Sequence, residues 1–102
     1  MAAARLVALF NLRPGVEVAA YERWARERDM PTVNALASVT GFDVRRVTGT
    51  LDGGPAPYAY VEVIDVADTD RFGEEIAAPQ MQAIAGEFQA MVEVVFLTTE
   101  PL

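Results

Sequence analysis

Four short apolar runs alternate with two stretches of helical period, and that order leaves few folds open. Residues 5–12 (RLVALFNL) close on Arg13-Pro14-Gly15, a turn signal, and read as a buried strand. From Ala19 onward Tyr21, Trp24, Ala25, Arg28, Thr32, Val33 and Leu36 fall near one face at a 3.6 period, which predicts a helix. Pro31 interrupts it, so a kink is expected, or a new short helix with Pro31 in its first turn. Thr40-Gly41 marks a stop. Residues 42–48 (FDVRRVT) then read as a second strand, with Phe42, Val44 and Arg46 opposite Asp43, Arg45 and Val47. Residues 49–57 (GTLDGGPAP) form a turn-rich loop long enough to move. Residues 58–64 (YAYVEVI) give a third strand that places Tyr58, Tyr60, Glu62 and Ile64 together. Asp68 and Asp70 supply helix-start chemistry for a segment over 71–78. A second segment over 79–91 shares a face of Met81, Ile84, Ala85, Phe88 and Met91, and residues 92–98 close as a fourth strand.

The order β-α-β-β-α-β specifies an α+β, ferredoxin-like domain over residues 1–102, with a four-stranded antiparallel sheet and both helical layers on one face. No repeat, linker or low-complexity block divides it. Val and Leu occupy both faces of the strands, so the face away from the helices also calls for a cover. A second copy, sheet on sheet, is the economical one, and the chain is expected to be a homodimer of the dimeric α+β barrel kind. A domain this short buries only about 60–65% of its unfolded surface, so association adds stability.

Composition narrows the chemistry. Eight cations, all arginine, stand against 15 acidic residues, for a net charge of −7. That balance argues against nucleic acid and against an anionic membrane surface as partners. There is no Cys for a thiol nucleophile or thiolate metal site, no His for the usual near-neutral base, and no Lys for Schiff-base chemistry. Carboxylate, tyrosine and the Arg fork remain. No Asp-rich loop with glycine suggests a hard-cation site, so neither metal nor cofactor is implied. The opening ten residues carry one charge and too short an apolar run to cross a membrane, and a cytoplasmic protein is expected.

Several residues could carry function. Trp24 and Tyr21 share the inward face of the first helix, as core aromatics or as an aromatic wall for a planar ligand. Asp29 either caps the helix after Pro31 or points into the space between helix and sheet, where desolvation would raise its pKa toward that of a useful acid or base. Arg46 and Glu62 are ionisable groups in strands expected to be buried, where charge is costly unless paired. They either pair across strands or face a ligand. Asn11, at the end of the first strand, either satisfies turn backbone or donates to a ligand carbonyl. Tyr60 is placed to sandwich a planar ligand with Trp24.

Residues 21–49 (YERWARERDMPTVNALASVTGFDVRRVTG) resemble the REDY-like, HapK-type family, most specifically through Trp24, Asp29, Pro31, Thr32 and Val33. YAYVEVIDV at 58–66, APQMQAIAGEF at 78–88 and the opening LFNLRPGV look like it too. The resemblance implies a dimeric α+β barrel and a place in bacterial secondary metabolism, chiefly of pyrrole- or indole-derived, prodigiosin-like pigments. It suggests a dehydrating condensation or the guidance of a reactive intermediate, with Asp29, Trp24 and Glu62 as the positions to test. Two alternatives stand beside it. One is a cofactor-free monooxygenase of aromatic substrates, which related barrels perform through Asn, Trp and Tyr contacts and to which Asn11 and Trp24 would answer. The other is a non-catalytic protein that binds a hydrophobic metabolite. The lack of His weighs against the haem-degrading relatives of this fold.

Overall fold

The structure, a computed structural model, describes residues 2–102. Met1, the first residue of the opening segment read above as too short to cross a membrane, lies outside them. In chain order the elements are β1 (Ala4–Leu12), α1 (Val18–Trp24), a π-helical turn (Ala25–Asp29), α2 (Met30–Asn34), β2 (Val39–Arg46), β3 (Tyr60–Val66), α3 (Thr69–Ile76), α4 (Pro79–Met91) and β4 (Val92–Thr98). The sheet runs β2-β3-β1-β4 with every neighbour antiparallel, and the fold is ferredoxin-like as expected. No helix among the described residues is long and apolar enough to cross a membrane.

The break at Pro31 has a definite form. Proline has no N–H to donate and its ring crowds the carbonyl four residues back. The chain answers by widening the preceding turn: the Met30 N–H reaches the Ala25 carbonyl, five residues back. Pro31 then sits in the first turn of α2, where its missing donor costs nothing. At 3.6 residues per turn, positions four apart drift roughly 40° round a helix. The wider turn takes up that drift, and Tyr21, Ala25, Asp29 and Val33, each four apart, are all buried.

The second half of the helical layer starts on conventional signals. Asp68 caps α3 by accepting from the Asp70 and Arg71 N–H groups, and Pro79 opens α4, whose Met81, Ile84 and Phe88 are buried. Asn34 ties α2 to β2 by accepting from the Phe42 N–H (3.1 Å) and donating to the Phe42 carbonyl (3.3 Å).

Two strands differ in extent from the sequence reading. β2 begins at Val39 rather than 42, because Thr40-Gly41 passes through a pairing irregularity instead of ending the run. β3 begins at Tyr60 rather than 58, because the Asn11 side chain takes over from the ladder. Its amide donates to the Pro57 carbonyl (3.0 Å) and accepts from the Ala59 N–H (2.8 Å).

Between helices and sheet Phe10 stacks on Tyr60 (5.3 Å between centroids) and meets Phe88 edge-on (5.1 Å). Each such buried aromatic pair adds about 0.5–1.5 kcal/mol beyond area burial. The opposite face of the sheet carries Val7, Leu9, Val61, Val63, Val95 and Leu97 in adjacent cross-strand pairs, with Val95 and Leu97 exposed.

Candidate functional site: a carboxyl pair in a phenylalanine-walled cavity

Cross-strand register fixes what surrounds Glu62. On the helix-facing side its row reads Val44, Glu62, Ala8, Phe96 across β2, β3, β1 and β4. A carboxyl in such a row has no cation beside it. Above it the π turn lowers Asp29 toward the sheet. Asp29 and Glu62 are 4% and 3% exposed and together border a cavity of about 120 Å³. Its walls are mostly apolar, and each of four elements contributes a phenylalanine: Phe42 from β2, Phe72 from α3, Phe88 from α4 and Phe96 from β4, with aliphatic side chains such as Val33, Ile64 and Ile84 between them. Phe96, 56% exposed, stands at the rim.

The electrostatics follow from this burial. Desolvation pushes the Asp29 carboxyl up to about 7. Desolvation, and after it the neighbouring charge of Asp29, pushes Glu62 up to about 8. No hydrogen bond or cation offsets the burial of either group. Fully buried Tyr21 belongs to the same constellation. Its hydroxyl has no hydrogen-bond partner, and desolvation, then the charges of Glu62 and Asp29, make it a far weaker acid than usual. Two carboxyls that titrate near neutrality beside an apolar hollow are suited to exchanging protons with whatever occupies it.

The structure thus brings together Asp29, Glu62 and Tyr21 and leaves the other sequence candidates elsewhere. Asp29 does not cap α2, for its side chain makes no cap hydrogen bond. Arg46 does not pair with Glu62: register sets Val44 opposite Glu62 and Arg46 opposite Tyr60. Arg46 reaches instead to Glu22 (2.9 Å from Nε), which also accepts from the Tyr60 hydroxyl (2.7 Å) and from Arg26 (3.3 Å). The hydrogen bonds of Arg46 and Tyr60 hold Glu22 down at about 2. That network borders a second, more polar cavity of about 260 Å³ with Tyr21, Met30 and Val44.

Trp24 and Tyr60 do not sandwich a common space. The Trp24 ring stacks on Phe88 and its indole N–H donates to Glu87 (2.9 Å), while Tyr60 stacks on Phe10. Asn11 is occupied with the chain before β3. The aromatic wall is therefore phenylalanine. Phe88 was legible as part of the inward face of α4, whereas Phe72 and Phe96 gave no signal beyond being apolar.

Comparison with known proteins agrees with this fold. Residues 4–102 match the family described as REDY-like protein HapK. The crystal structure of HapK from Hahella chejuensis is 31% identical, with a TM-score of 0.75 over 97% of this chain and 92% of that one. A dabb family protein with a ferredoxin-like fold from Mesorhizobium loti is 16% identical, with a TM-score of 0.78 over 100% of this chain and 99% of that one. SnoaB, a cofactor-independent oxygenase from Streptomyces nogalater, is 15% identical, with a TM-score of 0.78 over 100% of this chain and 95% of that one. At those two identities the likeness is one of fold. A search of curated proteins finds no match.

Proposed function

The chain belongs to the REDY-like HapK family, and we propose that it binds a planar aromatic metabolite of bacterial secondary metabolism and moves protons on it with Asp29 and Glu62. The metabolite is of the pyrrole or indole pigment type, and the reaction class is a dehydrating condensation in the cytoplasm. The observation that carries the reading is the pair of buried carboxyls, without hydrogen bond or counter-ion, on one phenylalanine-walled cavity.

Loss of water needs an acid for the departing oxygen and a base for a carbon or nitrogen proton. With Asp29 titrating near 7 and Glu62 near 8, the pair at neutral pH gives up its first proton from Asp29 and keeps one on Glu62. Glu62 then protonates the leaving oxygen as the C–O bond breaks. Asp29 takes the C–H or N–H proton as the double bond forms. Water departs, and the pair holds as many protons as before. Such a reaction requires no cofactor. The monooxygenase reading rested on Asn11 and Trp24, and neither borders this cavity.

A homodimer completes the proposal. The apolar strip of Val7, Leu9, Val61, Val63, Val95 and Leu97 is the face a second copy would cover.

Native mass spectrometry of the protein from its own host, followed by denaturation to release what it holds, tests the reading. Wild type is expected to release a planar aromatic molecule, and Glu62→Gln to release a precursor one water heavier. Identical cargo from wild type, Asp29→Asn and Glu62→Gln would leave a binding protein without acid–base chemistry, and an empty protein would remove the reading.

A further inference from the structure

The cavity between the π turn, α4 and the sheet offers two carboxyl groups and no cation, and the arginines nearest in sequence and register are already committed. Arg28 holds Glu87 through two 2.6 Å hydrogen bonds, and Arg26 and Arg46 both hold Glu22. The groups facing the carboxyls can be named element by element. Tyr21 comes from α1 and Gln89 from α4; β2, α3 and β4 contribute Phe42, Phe72 and Phe96, and α2 contributes Val33. None of these carries positive charge.

The occupant must therefore supply what the walls lack. An anion would meet two acids and no cation. A hydrocarbon would leave both carboxyls desolvated and unpaired, the costliest state a buried acid can have. A nitrogen cation satisfies both halves of the site, because phenylalanine faces attract cations through their quadrupole and the carboxylates accept N–H bonds. We propose that the cavity takes an aromatic molecule bearing a basic nitrogen, bound as the cation against Asp29 and Glu62. This deepens, and rests on, the reading of the cavity as a small-molecule site.

A thermodynamic signature follows. Near neutral pH the carboxyl pair retains a proton, so an incoming cation drives that proton from a carboxyl oxygen to buffer while the ligand keeps its own charge. Affinity then rises with pH until the pair is fully ionised. A neutral ligand of the same shape displaces no proton.

Isothermal titration of the whole protein with phenethylamine, 2-phenylethanol and 3-phenylpropionate separates the cases. The amine is expected to bind tightest and to gain on the order of a hundredfold between pH 6 and pH 8, with about one proton released when buffers of different ionisation enthalpy are compared. The alcohol is expected to bind more weakly and without pH dependence, and the acid not to bind. Asp29→Asn and Glu62→Gln should each abolish the preference for the amine over the alcohol, with far-ultraviolet circular dichroism and a cooperative urea transition reporting that each variant is folded. Equal, pH-independent binding of amine and alcohol would overturn the cation proposal and leave the small-molecule site standing. Amine binding that survives both substitutions would place the amine elsewhere and overturn it as well. Failure of all three probes to bind wild type would overturn both.

Discussion

Stability should fall as pH rises through neutrality, the reverse of what buried, ion-paired carboxylates produce. Asp29 goes from an ordinary 3.8 to about 7 in the folded chain, and Glu62 from 4.5 to about 8, chiefly through burial. Both folded values are raised, so between pH 4 and pH 8 the folded chain binds more protons than the unfolded one. Stability is then fully present below the unfolded values and is lost as pH rises toward the folded ones. At 1.36 kcal/mol per pKa unit, moving from pH 5 to pH 8 removes roughly 2–3 kcal/mol through Asp29 and roughly 3–4 kcal/mol through Glu62. The total is a large part of the roughly 5–15 kcal/mol that holds a domain together. The arginine-paired acids work the other way. Glu22 and Glu87, held at about 2 by hydrogen bonds from Arg46 and Arg28, contribute stability present above about 4.5 and lost as pH falls through the folded value. The profile should peak near pH 5. Urea unfolding followed by Trp24 fluorescence from pH 4 to pH 8.5 reads it directly. Asp29→Asn and Glu62→Gln should each flatten the limb above pH 5 and be the more stable proteins at pH 8. A wild-type profile that is level or rising from pH 5 to pH 8 would refute the claim that these carboxyls are buried without partners.

Three further outcomes are expected. Asn11→Ala should cost about 1–2 kcal/mol by orphaning the Ala59 N–H and the Pro57 carbonyl, and should speed hydrogen exchange at Ala59 while leaving cavity ligands unaffected. Trp24→Phe removes the indole N–H bond to Glu87 and should lower stability by about 1 kcal/mol in urea titrations followed by circular dichroism, with no change in ligand affinity, since Trp24 does not border the cavity. Leu9→Glu sets a charge in the middle of the open sheet face; if that face carries the proposed homodimer, light scattering on a sizing column should show wild type as a dimer and the variant as a monomer at the same concentration.

Strand and helix order was legible because period 2 and period 3.6 are imposed by burial, which no local detail overrides. Pro79 marked the start of α4 and β4 followed directly, so that half of the chain is read within a residue or two. β2 and β3 slipped because their limits are set by partners rather than by their own sequence: the irregular pairing at Val39 and Gly41, and the Asn11 amide. A two-residue displacement preserves which side chains share a face, so Glu62 stayed legible as a charge on an apolar row. Whether Arg46 met Glu62 depended on register, which pairs Val44 there instead. Trp24 and Tyr60 were on the correct side of the sheet, but their polar tips had partners in Glu87 and Glu22. A lone sequence does not reveal such long-range pairings.

Asp29 illustrates how one backbone irregularity creates a chemical site. In an unbroken helix of 3.6 residues per turn the positions Tyr21, Ala25, Asp29 and Val33 would wind away from the sheet by roughly 40° at each step, carrying the carboxyl toward solvent. Pro31 forbids that helix, and the π turn that accommodates it returns Asp29 to the buried line. π turns recur at functional sites for this reason, since the extra residue redirects a side chain at the cost of a less regular hydrogen-bond ladder. A buried, unpaired acid is itself destabilising, and its opposite number Glu62 lies on a sheet row that would pack well with valine. Two costs of the same kind, placed on one cavity by unrelated local causes, are hard to account for by folding alone. The proposed acid chemistry on a bound ligand would account for both.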